Sequence, residues 1–194
     1  GVLLSEIPIG SGLSSSAALE LAVMRAFWAV SGWDWSGIEM AKAARSMENH
    51  WLKLKSGIMD QMISACGEEG TALLIDCRDL SVEAVPLPES AAIVVLDTSA
   101  PRGLLESAYN ERVEQCQQAA EHFGKNSLRD VSWKMFLDHS SALDDLILRR
   151  ARHVISENQR TLQAAAAMRD GDAPALGRLM DASHTSLRDD YQVS

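Results

Sequence analysis

The sequence predicts a helix-rich α+β protein, and three observations carry that expectation. Apolar residues recur at helical spacing through residues 14–66 and again from Leu105 to Leu187. Strand-type runs are confined to the middle of the chain: T-A-L-L-I-D-C (71–77), S-V-E-A-V-P-L (81–87) and A-A-I-V-V-L-D (91–97). With 46% apolar residues and five Trp in 194 residues, the chain can bury a core.

Residues 1–7 read as a strand tail feeding a glycine loop. Residues 14–30 form a helix that Gly32 stops. In S-G-W-D-W-S-G, a turn, Ser36 is placed to cap a second helix from about Ile38 to about Leu54, with Ile38, Ala41, Ala44 and Met47 on one side. Gly57 breaks the chain, and a short helix runs from Asp60 to Cys66. The runs at 71–77 and 81–87 suit a hairpin turning at Arg78-Asp79, and 91–97 is a third strand. A domain hinge is expected between Pro86 and Gly103. Beyond it, Leu105, Tyr109, Arg112, Cys116, Ala119 and Phe123 share one stripe of a helix ending at Gly124. W-K-M-F-L is a short helical piece. A long helix covers about Ser141 to Arg169, with Leu143, Ile147, Ala151, Val154, Asn158 and Leu162 on one face. Gly171-Asp172 is a turn, and the last helix carries Leu176, Met180, Ser183 and Leu187.

The stretch from Pro8 to Ala18, P-I-G-S-G-L-S-S-S-A-A, organises the chemistry. Gly10 and Gly12 can take positive φ and bring backbone close to a ligand. The helix that follows exposes amide N–H groups without intrahelical acceptors, an end that attracts phosphate. The serine hydroxyls either cap that helix or reach a magnesium ion. No Gly-Lys-Ser/Thr follows the glycines, so this is not a Walker A loop.

Three further residues stand out. Asp60, in G-I-M-D-Q-M-I, is either a helix N-cap or a base in an apolar setting. Glu48, in S-M-E-N-H-W, reads on its own as a solvated helix glutamate. Tyr109 reads on its own as a core tyrosine. Arg102 and Arg112 read as solvated. His153 and His184 lack metal-ligand spacing and read as packing and hydrogen-bonding positions.

The string P-x-G-x-G-L-S-S-S-A resembles the phosphate-binding motif of the GHMP kinases, and the triple serine is most similar to galactokinases. M-E-N-H-W, S-G-I-M-D-Q, the run Leu74 to Arg78, A-R-H-V-I-S-E-N and S-L-R-D-D-Y follow in the family order. The resemblance implies a two-lobe GHMP kinase fold, a ribosomal protein S5 domain 2-like N-lobe with a ferredoxin-like C-lobe. Residues 1–90 would be the second half of the N-lobe and 91–194 the first, mostly helical part of the C-lobe. It implies ATP and Mg2+ as cofactors, with Gly10, Ser11, Gly12, Leu13, Ser14, Ser15 and Ser16 on the nucleotide. Ser16 and Glu48 would be the metal ligands, Asp60 the catalytic residue facing the sugar hydroxyl, and Tyr109 a galactose contact. The implied reaction transfers the γ-phosphate of ATP to the anomeric hydroxyl of galactose. Lys53 and Ser56 depart from the Gly and Cys usual in the family. A galactose and ATP sensor acting through a transcription partner, and a kinase for N-acetylgalactosamine or a non-sugar alcohol, are the alternatives.

The family's N-terminal G-R-x-N-L-x-G-E-H-x-D-Y segment and its C-terminal G-G-x-F-G-G motif are not in the sequence. The chain opens on G-V-L-L-S-E without an initiator Met and reads as the middle of a longer protein, incomplete at both ends and by itself inactive. At full length a monomer is expected. Eighteen Lys and Arg against 27 Asp and Glu give a net charge of -9, which argues against a nucleic-acid surface. Cys66, Cys77 and Cys116 form no CxxC pair and suit free thiols in a reducing cytoplasm. No apolar run reaches the roughly 18 residues a membrane span needs.

Overall fold

A computed structural model describes residues 2–8, 11–52, 57–96 and 105–193. The chain divides into two units, residues 1–86 with 92–103 and residues 87–91 with 104–194.

In the first unit, α1 (Ser15–Ser31) starts from Ser14 in the left-handed region (φ 55°) and stops at Gly32 (φ 73°). Helix α2 (Gly37–Met47) starts where the Ser36 hydroxyl accepts the Glu39 N–H at 3.4 Å. Ala41 and Ala44 are fully buried, which lets α2 approach α3 (Met59–Cys66) closely. Gly37 is required at that crossing, because a Cβ there would stand 2.7 Å from the Cys66 sulfur. Ala41, Ile58 and Met62 form the packed centre. The second helix does not run on as a plain α-helix, as the sequence predicts. It widens into a π-helical turn, Glu48–Leu52, and residues 53–54 lie outside the described residues.

Strands β1 (Thr71–Ile75) and β2 (Val82–Pro86) pair antiparallel, Thr71 opposite Pro86 and Ile75 opposite Val82. Leu80 takes φ 62° in the connecting turn. Two strand expectations fail. Residues 2–7 and 91–96 are neither paired nor regular, and Val2, Leu4, Ile93 and Leu96 are well exposed. Their β-type composition is right, but among the described residues no neighbouring strand completes a ladder with them, and propensity alone does not hold a strand.

The second unit is helical: α4 (Leu105–His122), α5 (Trp133–His139), α6 (Asp145–Arg169) and α7 (Ala173–Ser186), closed by a second π-helical turn, Leu187–Tyr191. Ala119, Ala120 and Phe123 of α4 pack with Leu128, Val131, Phe136, Ile147, Ala151 and Ile155. Helix α6 starts later than predicted, because Asp144 caps it by accepting the Ile147 N–H at 3.0 Å. Its buried face is also shifted. Ile147 and Ala151 are buried as expected, but Leu162 is 59% exposed while Arg150 and His153 are inside.

These two polar residues explain the shift. The Arg150 guanidinium donates to Gln115 Oε1 and Gln192 Oε1, both at 2.9 Å, and to the Asp190 carbonyl. His153 Nδ1 lies 3.0 Å from Ser186 Oγ, and its ring stacks on Tyr191. Burial lowers the His153 pKa and raises that of the Tyr191 phenol. Arg112 is not a solvated arginine; it donates to the carbonyls of Tyr191 and Gln192. His184, expected to pack, is exposed.

Candidate active site

The loop before α1 is closed by Ser11, whose hydroxyl donates to the Pro8 carbonyl at 2.8 Å. Gly12 follows with φ 87°, a conformation glycine adopts freely. Gly10 lies outside the described residues. The first helical hydrogen bond runs from Ala18 N–H to the Ser14 carbonyl at 3.0 Å. The expectation that a serine hydroxyl caps α1 fails: Ser14 occupies the cap position in the left-handed region, and its side chain makes no capping hydrogen bond. The first-turn N–H groups, from Ser15 to Ala17, are therefore left at a helix end carrying partial positive charge. Leu13 is half-exposed and Ser15 partly buried beside them.

Ser16 lies on the first turn of α1, and its hydroxyl donates to Glu48 Oε1 at 3.3 Å. Glu48 is only 6% exposed, so the solvated reading of this glutamate is wrong. Its second oxygen, Oε2, accepts the Gln61 amide Nε2–H at 2.8 Å, and Gln61 is 2% exposed. Three elements thus converge on one buried carboxylate: the start of α1, the π-helical turn and α3. Asp60 immediately precedes Gln61 in the first turn of α3 and is partly buried. It is not the N-cap, a position Ile58 holds with no side-chain hydrogen bond. Tyr109 belongs to the second unit, on α4, and is 48% exposed, so it is not a core tyrosine.

Two residues were missed. Gln61 was legible as the polar neighbour of Asp60 in a helix with an apolar interior. Glu20 was legible only by counting one helical turn on from Ser16. Glu20 is partly buried, and its Oε2 is buried without a hydrogen-bond partner. Burial, with the Glu48 carboxylate adding to it, pushes the Glu20 carboxyl up to about 7. A hydroxyl and two carboxylates, one with an orphaned oxygen, suit a small divalent cation. Magnesium takes oxygen ligands, usually one or two carboxylates with phosphates and water completing the shell. Among the described residues no group of three or more His, Cys, Asp or Glu makes a larger metal cluster. A cavity of about 590 Å3 on the α2 side, lined by Lys42, Arg45, Ser46, Asn49, His50, Ile58 and Leu80, contains none of the predicted site residues.

Residues 2–68 match the family model described as GHMP kinases N terminal domain. This chain has the GHMP kinase fold and is galactokinase-like. The particular likeness is to the crystal structure of Lactococcus lactis galactokinase complexed with galactose. The TM-score is 0.87 and the identity 35%, over 98% of this chain and 50% of the Lactococcus chain. The chain therefore spans about half the length of that enzyme. No helix among the described residues is long and apolar enough to cross a membrane.

Proposed function

We propose that this chain supplies the phosphate-holding and proton-accepting part of a galactokinase, which transfers the γ-phosphate of ATP to the anomeric hydroxyl of galactose. The observation that carries the reading is the convergence of Ser16, Glu48 and Gln61, which fixes the start of α1 against the helix bearing Asp60. In this reading residues 1–90 are the second half of the N-terminal kinase domain and 91–194 the first part of the C-terminal one. The free cysteines suit a reducing cytoplasm.

The uncapped first turn of α1 and the loop through Gly12 hold the nucleotide phosphates by backbone N–H groups. Ser16 and Glu48 would hold magnesium, which would supply positive charge against the phosphates. The Glu48 carboxylate is kept in place by the Gln61 amide, so its orientation is set before the nucleotide arrives. Asp60 orients the sugar hydroxyl and accepts its proton, and Tyr109 is a sugar contact by resemblance to the family. Positioning and electrostatics supply most of the acceleration in phosphoryl transfer.

The test is galactose-dependent ADP release. In the whole protein, Asp60→Asn keeps nucleotide binding and loses turnover by about 10²-fold or more, the scale of a positioned acid–base group. Residues 1–194 assayed alone release no ADP on adding galactose. Near-normal turnover by Asp60→Asn would remove Asp60 from the mechanism, and turnover by residues 1–194 would show that the sugar pocket is built from this chain alone.

A further inference from the structure

We propose that Glu20 is a third protein ligand of the divalent cation, joining Ser16 and Glu48. The inference rests on the reading of Ser16 and Glu48 as a magnesium site and extends it to a residue that reading does not use.

Glu20 stands four residues after Ser16 on α1, so the two side chains share one face of the helix. That face looks onto Glu48, whose Oε1 accepts the Ser16 hydroxyl and whose charge is felt at Glu20. The two oxygens of Glu48 are both occupied, by Ser16 and by Gln61. Glu20 differs: its Oε2 is buried, and no donor reaches it. Above about pH 7, where Glu20 is ionised, the two carboxylates only accept hydrogen bonds and cannot satisfy one another. A buried oxygen without a partner, beside a second carboxylate, is costly unless something positive joins them. Helix α1 itself carries one basic residue, Arg25, and it lies over the rings of Trp28 and Trp35, at 3.9 and 4.7 Å from their centroids. A divalent cation at the Ser16 and Glu48 oxygens would give the orphaned oxygen its partner. Two carboxylates and one hydroxyl leave room for phosphate and water, as magnesium prefers.

The experiment uses Mn2+ alone as the probe, with free ion read by electron paramagnetic resonance, on the unaltered chain, Glu20→Gln and Glu48→Gln. Thermal unfolding is followed with and without Mn2+. Glu20→Gln is expected to weaken Mn2+ binding by about tenfold or more. Without the ion it should unfold at a higher temperature than the unaltered chain, because the cost of burying a carboxylate there, and its repulsion from Glu48, are gone. Mn2+ should then raise the unfolding temperature of the unaltered chain and not that of Glu20→Gln. If Glu48→Gln loses the ion and Glu20→Gln keeps it, Glu20 is not a ligand and the magnesium reading stands. If neither substitution changes binding, the magnesium reading fails and the role of Glu20 falls with it. Lower stability of Glu20→Gln both with and without Mn2+, at unchanged affinity, makes Glu20 a purely structural residue. Should Glu20→Gln not fold, Glu20→Asp keeps the charge but shortens the reach, and unchanged Mn2+ affinity in that variant overturns the proposal.

Discussion

At the scale of single residues, the site is governed by where carboxylates find donors. Glu48 accepts from Ser16 and Gln61, whereas Glu20 has no donor on its buried oxygen. The consequence is a pH dependence whose sign follows from linkage. Burial first, then Glu48, moves Glu20 from 4.5 up to about 7. Between those values the folded chain holds a proton that the unfolded chain has released, so rising pH costs stability in that window. Glu20→Gln does not titrate. Without divalent cations, its unfolding temperature minus that of the unaltered chain should therefore grow from pH 4.5 to about 7 and then level off. A difference that stays constant over this range would contradict the assigned environment of Glu20. Asp60 belongs to the same scale. Its string pointed to catalysis by resemblance, while its place on the first turn of α3, rather than at the cap, became visible only in the fold.

At the scale of elements, the helices were legible because capping and periodicity act locally. Gly32 ends α1, Ser36 opens α2, and Asp172 caps α7 by accepting the Ala175 N–H at 2.9 Å. What was not legible depends on distant partners. The widening at Glu48 has no signal in local propensity, yet it sets the carboxylate that Ser16 and Gln61 meet. The runs at 2–7 and 91–96 have strand composition, and composition says nothing of whether a neighbour is present. The turn of α6 toward Arg150 and His153 likewise reflects the carbonyls and amide of the closing segment. This gives a second prediction. Arg150→Met keeps most of the volume but strands the Asp190 carbonyl and the Gln115 and Gln192 amide oxygens. It should cost about 1–3 kcal/mol and speed amide hydrogen exchange in residues 187–193 while the middle of α6 stays protected. Equal loss of protection throughout α6 would show that Arg150 supports the helix itself rather than the closing turn.

At the scale of the whole molecule, nine buried residues among those described pack together in the second unit, against three in the packed centre of the first. Phe136→Ala, inside the larger cluster, should destabilise the second unit by about 3–5 kcal/mol. Nucleotide binding by the first unit should be nearly unchanged, and proteolysis should cut first within residues 105–193. Loss of nucleotide binding in that variant would mean that the first unit needs the second to fold. The central claim is that the start of α1 and Glu48 hold one cation together with the nucleotide phosphates. It is tested most directly by calorimetric titration of a non-hydrolysable ATP analogue with Mg2+ into the unaltered chain, Ser16→Ala, Glu48→Gln and the double variant. Binding should be Mg2+-dependent and weakened by each single substitution, with the double variant losing clearly less than the sum because both residues act on one ion. Binding that is indifferent to both substitutions, or losses that add in full, would contradict it.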